Sequence, residues 1–210
     1  MEANFWHQKW ESNQIGFHES EANALLVDHF DSLGLEQDAR IFLPLCGKTR
    51  DIAWLLGKGY RVVGAELSEI AIKQLFEDLD ATPEISEVGG LKHYHAEGVD
   101  MYVGDIFELT SDMLGYVDAI YDRAALVALP PETRIRYTEH LLKVTQTAPQ
   151  LIICFQYDQS LMSGPPFSIV EEEVRQHYAA TYLMKHLETR DVEGGFKGII
   201  PATETVWLLG

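Results

Sequence analysis

The sequence predicts an α/β protein: a doubly wound, Rossmann-like sheet of seven strands, mostly parallel with an antiparallel last strand, helices on both faces, and a helical lid at the N-terminus. Three observations lead there. From residue 40 onward, apolar runs at 40–45, 60–66, 99–105, 117–122 and 151–157 alternate with stretches of helical periodicity, the pattern of a parallel sheet covered on both faces. The last two runs, 182–187 and 203–209, have no helix between them, so they pair as a hairpin and the final strand enters antiparallel. No repeat, low-complexity tract or long Gly/Ser/Pro linker interrupts the 210 residues. The chain therefore reads as one domain, with residues 1–39 as a helical cap and 40–210 as the sheet.

The elements follow in order. Trp6 and Trp10 are four apart and share one face of a first helix. Ala22, Leu25, Leu26, His29, Phe30 and Leu33 recur at helical spacing, and Gly34 supplies the stop. The run Arg40-Ile41-Phe42-Leu43-Pro44-Leu45 is the first strand, and Cys46-Gly47-Lys48 leads into a helix carrying Ile52, Ala53, Leu55 and Leu56. Val62-Val63-Gly64-Ala65-Glu66 is a second strand ending in an acid, with Ser68 as the N-cap of the next helix. Residues 80–98 break the rhythm: Pro83, Gly89, Gly90 and Gly98 bracket an alternating segment that reads as an exposed hairpin. Alternation then resumes, with a helix over 131–147 opened by Pro131 and another started at Ser168.

Charge and composition exclude partners more than they name one. Asp and Glu number 33 against 16 Lys and Arg, for a formal charge of −17. That excess opposes nucleic acid and anionic membranes, both of which call for clustered bases. No signal peptide and no apolar run of membrane-spanning length is visible, and two cysteines make no disulfide framework. A cytoplasmic monomer acting on small molecules is expected.

In an open α/β sheet, ligands bind beyond the carboxyl ends of the strands where strand order reverses. The loop Leu45-Cys46-Gly47-Lys48-Thr49 has one glycine and lacks the G-x-G-x-x-G and Walker spacings, so a diphosphate ligand is poorly supported. S-adenosyl-L-methionine (SAM), which has no phosphate, asks less of such a loop, and a doubly wound sheet with an antiparallel last strand is the architecture of SAM-dependent methyltransferases. Glu66 can accept both ribose hydroxyls, one per oxygen. Asp105 and Ile106 stand where adenine would lie, the carboxylate accepting from an amine and the Ile packing on the ring. Arg123 can donate to the methionyl carboxylate or pair with one of the many acids. His93, His95 and Glu97 alternate but lack a fourth ligand, so no metal is assigned. Cys46 has no neighbouring base and reads as a packed thiol. Trp10 is either core or a lid whose ring face suits a sulfonium.

Four motifs then fall in a familiar order. Trp6-x-x-x-Trp10 with Gly16-Phe17-His18, Leu43-Pro44-Leu45-Cys46-Gly47-Lys48, Val63-Gly64-Ala65-Glu66-Leu67-Ser68 and Asp122–Pro130 together resemble the thiopurine S-methyltransferase family, in its bacterial branch. The resemblance implies SAM contact by Trp10, Leu45, Glu66 and Arg123, with Asp105 and Ile106 flanking adenine and Phe17 packing against the acceptor. It also implies methyl transfer to the sulfur of small aromatic or heterocyclic thiols. Other readings are methylation of selenium or tellurium species, halide or thiocyanate, and, in a different class, an NAD-dependent oxidoreductase. No general base is assigned, because an ionised thiol attacking a sulfonium methyl needs chiefly to be held in place.

Overall fold

The computed structural model describes residues 3–15 and 18–210. They form one mixed sheet with helices on both faces. Its strands are β1 (Arg40–Pro44), β2 (Arg61–Glu66), β3 (Glu84–Val88), β4 (Leu91–Ala96), β5 (Val99–Val103), β6 (Ala119–Arg123), β7 (Gln150–Tyr157), β8 (Met184–Asp191) and β9 (Ala202–Leu209). The order across the sheet is β3-β4-β5-β2-β1-β6-β7-β9-β8. β5, β2, β1, β6 and β7 are parallel neighbours, and β9 runs antiparallel between β7 and β8. The doubly wound class and the antiparallel last strand are as expected.

The strand count is not. The sheet has nine strands rather than seven, because the 84–96 hairpin does not stand apart: β4 pairs antiparallel with β5 from Lys92↔Val103 to Ala96↔Val99. Leu91 and Tyr94 of β4 are buried, which is why the hairpin stays on the edge while β3 remains largely exposed. Several boundaries also move, among them the helix expected over 131–147, which ends at Val144. The strand expected at 182–187 runs Met184–Asp191. The helix expected from Ser168 begins at Glu171, and Ser168 Oγ instead accepts the Tyr157 N–H at 3.0 Å. A tertiary bond has taken the hydroxyl that local sequence would assign to a cap.

The helices are α1 (Ala3–Glu11), α2 (Ala24–His29), α3 (Arg50–Gly57), α4 (Glu69–Asp78), α5 (Ser111–Leu114), α6 (Pro131–Val144) and α7 (Glu171–Tyr178). Side chains alternate across each strand, so each half of the core has its own set. Ile41, Leu43 and Val62 face Leu25, Leu26, Ile52, Leu55, Ile72 and Leu75 from α2, α3 and α4. Phe42, Val63 and Ile152 face Tyr137, Leu141, Val174 and Tyr178 from α6 and α7. Burying each such aliphatic side chain contributes about 1.5–3 kcal/mol, and this double burial fixes the register of β1 and β2. Ser68 caps α4 as expected, its Oγ accepting the Ala71 N–H at 3.4 Å, and Thr49 caps α3 through the Asp51 N–H at 3.3 Å. Both helices thus start directly after the ends of β2 and β1. Among the described residues, no helix is long and apolar enough to cross a membrane.

Candidate active site

Strand order reverses between β1 and β6: β1, β2 and β5 step one way, β6 and β7 the other. At or just beyond the ends of the four strands β5-β2-β1-β6 stand, in that spatial order, Asp105, Glu66, Leu45 and Arg123, so the topology lines up four residues that are far apart in the chain. This is the crevice in which an open α/β sheet takes its ligand.

Glu66 is the centre of it. The residue is 6% exposed, and its carboxylate ties two loops together, Oε2 accepting the Gly47 N–H and Oε1 the Ser68 N–H, each at 2.8 Å. Burial pushes this carboxyl up, opposed by the N–H groups of Ser68, Gly47 and Leu67. Each oxygen keeps a second lone pair, so an outward-facing hydroxyl pair can be accepted without breaking either loop contact. The Glu66 carbonyl also accepts from Gly104 N at 2.9 Å, joining the ends of β2 and β5.

The β1–α3 loop is shaped by backbone conformation. Leu45 stands at φ 47° and Gly47 at φ 55°, the left-handed region that disfavours a side chain. A Cβ on Gly47 would also meet Trp10 Cζ2 at 3.0 Å. Trp10, 4% exposed, is therefore packed onto the β1–α3 loop. Under the loop, Gly64 of β2 has no room for a side chain, since its Cβ would lie 2.5 Å from Met101 Sδ and 2.9 Å from Cys46 Sγ. Burial, and then the Glu66 charge, push the Cys46 thiol well up. A thiol held protonated is no nucleophile, which agrees with the packed reading of Cys46.

After β5, Asp105 caps a single helical turn, Ile106–Glu108, by accepting the Phe107 N–H at 3.0 Å. Its carboxylate remains exposed beside the buried Ile106. Asp105 and Ile106 thus offer a polar edge next to an apolar face.

Arg123 ends β6 with its side chain 14% exposed, and its Nη2 donates to Glu19 of the cap. It does not pair with Asp122, whose fully buried carboxylate accepts from Tyr137 O–H at 2.6 Å and Leu126 N–H at 3.3 Å. Burial works against the Arg123 charge, but Tyr121, Glu19, Asp51 and Glu204 outweigh it. Burial raises Glu204 of β9, Arg123 lowers it and Glu19 raises it again. Burial, Lys48, Arg50 and Arg123 hold His18 down despite Asp78. His18, Glu19, Lys48 and Glu204 are site groups that the sequence reading missed. They come from three separate segments, 18–19, the loop after β1 and β9, and only His18 and Lys48 lie inside motifs. Phe17 lies outside the described residues. Glu97 falls beyond β4, and the partner of His93 and His95 is instead Asp100.

Comparison with known proteins gives the family and the fold. The family model described as thiopurine S-methyltransferase matches residues 1–207. The chain belongs to that family. A thiopurine S-methyltransferase from Xanthobacter autotrophicus is 56% identical over 210 residues, covering 100% of this chain and 99% of that one. One from Gluconobacter oxydans is 50% identical, covering 98% and 93%. Among solved structures, Burkholderia thailandensis 1,6-didemethyltoxoflavin-N1-methyltransferase, with its substrate and S-adenosylhomocysteine (SAH) bound, superposes with TM-score 0.68 at 16% identity, covering 99% and 86%. Synechocystis magnesium protoporphyrin IX methyltransferase with bound SAH gives 0.62 at 13%, covering 100% of both. At such identities the likeness is one of fold. The family makes this chain a SAM-dependent methyltransferase and sets aside the NAD-dependent oxidoreductase. The site suits that cofactor: a buried acid with spare acceptors, a loop whose Gly47 lies close against the Trp10 ring, and no glycine-rich cradle for phosphates.

Proposed function

We propose that this enzyme transfers the SAM methyl group to the sulfur of small aromatic or heterocyclic thiols, thiopurines among them. The observation that carries this is the 56% identity, end to end, with a relative named for that reaction. Glu66 holds the ribose hydroxyls, Asp105 and Ile106 the adenine, Leu45 lines the loop, and Arg123 takes the methionyl carboxylate. Trp10 closes the cofactor from above with the 1–39 cap, and Phe17 packs on the acceptor. When bound, SAM supplies an electrophilic methyl on a sulfonium.

The chain's own contribution is placement and dryness. Phe155 and Tyr157 of β7 gather with Phe196, ring centroids 5.0–5.8 Å apart, and with Met162, Ile200 and Ala202. This apolar wall lies at the β7 end nearest Arg123 and suits a flat, apolar acceptor. Holding acceptor sulfur and methyl donor in line contributes about 7–11 kcal/mol, and excluding water from the sulfur strengthens its attack. No side chain is assigned as general base. The same reading makes the enzyme a cytoplasmic monomer with small-molecule partners only.

The test is an acceptor profile: kcat/KM for a thiopurine, a simple aromatic thiol, a selenol, thiocyanate and iodide. Aromatic thiols are expected to lead. A selenol, thiocyanate or halide turned over efficiently while thiols are ignored would replace the sulfur assignment.

A further inference from the structure

The added hairpin carries a second cluster away from the strand ends that hold the cofactor site. His93 and His95 are two apart on β4, so they project to the same side, and the antiparallel register sets His95 opposite Asp100 of β5. Both rings converge on one oxygen: His93 Nε2 lies 2.8 Å and His95 Nδ1 2.9 Å from Asp100 Oδ1. The three ligand atoms all lie within 4.8 Å of one another. Ligands of one tetrahedral ion with bonds near 2.1 Å stand about 3.4 Å apart, so small side-chain adjustments are enough to close the set.

The surroundings hold the cluster in place. The His93 ring is stacked on Tyr102, centroids 4.6 Å apart and planes within 12°. Arg40 Nη2 lies 3.3 Å from Asp100 Oδ2, and its other end is tethered by the carbonyls of Leu114 and Tyr116. This leaves Oδ1 for the histidines and supplies the outer hydrogen bond that orients a ligating carboxylate. His95 is half exposed, with its side chain 53% accessible, so an ion and its water have a path in. Arg40 is the one opposing charge facing the group among these contacts, and the formal charge of −17 favours a cation overall.

We propose that His93, His95 and Asp100 form a site for a divalent late transition ion of the zinc, nickel or copper type, clipping β4 to β5. Two imidazoles and a carboxylate suit such ions rather than calcium or magnesium. Binding requires His93 to carry its proton on Nδ1 and His95 on Nε2, freeing the two nitrogens that now face Asp100; water completes the coordination. The proposal does not rest on the methyl-transfer reading.

The experiment titrates the metal-free full chain with zinc by calorimetry, and with copper by electron paramagnetic resonance. It compares wild type with His95→Ala, Asp100→Asn and a control, His186→Ala, on exposed β8. Wild type and control should bind one ion, raise their melting temperature with zinc, and show two coupled nitrogens with copper. His95→Ala and Asp100→Asn should each bind at least about tenfold more weakly, with His95→Ala keeping one coupled nitrogen and losing the melting shift. His95 is exposed, so its variant should fold, and unchanged SAH binding checks that. Equal zinc affinity in wild type and His95→Ala, or no binding in wild type, overturns the site.

Discussion

Replacing Glu66 by Gln keeps its shape and removes one of its two acceptors. The carboxylate oxygens accept the Gly47 and Ser68 N–H groups, one each, at 2.8 Å. A Gln has a single carbonyl oxygen, so its amide nitrogen must face one of those donors. A buried N–H left without an acceptor costs about 1–3 kcal/mol. Removing a charge that burial disfavours returns part of this to the folded state. It returns nothing to cofactor binding, where both the ribose acceptor and the setting of one flanking loop are lost. SAH binding should therefore weaken by about 1–3 kcal/mol, roughly 5- to 150-fold in Kd. Calorimetric titration of SAH, with a melting curve to establish folding, reads this directly. A folded Glu66→Gln variant with Kd within about twofold of wild type would refute the placement of the cofactor over β2.

Three further outcomes follow from the same geometry. Gly47→Ala meets both a φ of 55° and Trp10 Cζ2 at 3.0 Å, so denaturant unfolding should show a loss of about 1–2 kcal/mol from the left-handed backbone alone, together with weaker SAH binding; a neutral substitution contradicts the packing of Trp10. Glu19→Gln frees Arg123 from a half-exposed ion pair worth about 0.2–1 kcal/mol. SAH, which carries a competing carboxylate, should then bind about 1.4- to fivefold tighter, and weaker binding would show that Glu19 assists rather than competes. Burial pushes Asp122 from 3.8 to about 6, so the folded state holds a proton over a window in which the unfolded chain has released it. That contribution is fully present below the unfolded value and is lost as pH rises to about 6, by about 3 kcal/mol over two pH units. Asp122→Asn lacks it, so the variant's stability deficit should shrink between pH 4.5 and 7, and a deficit independent of pH contradicts this.

What was legible in the sequence is what depends on neighbours along the chain. Glu66, Asp105 and Arg123 could be picked out because each ends an apolar run, and strand ends face the crevice in any doubly wound sheet. Ser68 was legible as a cap because its partner, Ala71 N, is three residues away. Glu19 was not, because its partner Arg123 is 104 residues distant and nothing in either segment encodes the meeting. The 84–96 hairpin was visible as a hairpin. Its docking on β5 depends on burying Leu91 and Tyr94, which alternation alone does not reveal. Glu97 was grouped with His93 and His95 for the same reason: their partner Asp100 is supplied by strand register, not by spacing. The motifs of the resemblance reached Leu45, whose left-handed backbone no propensity rule would have selected.

The most direct measurement uses a purine that offers both sulfur and ring nitrogen to the methyl group. Incubated with methyl-labelled SAM, a mercaptopurine should yield the S-methyl product and SAH in equal amounts, with the label resolved on sulfur by NMR. Label found on a ring nitrogen, or SAH binding with no transfer to sulfur at any pH at which the thiol is ionised, would contradict the assignment of this site to S-methylation.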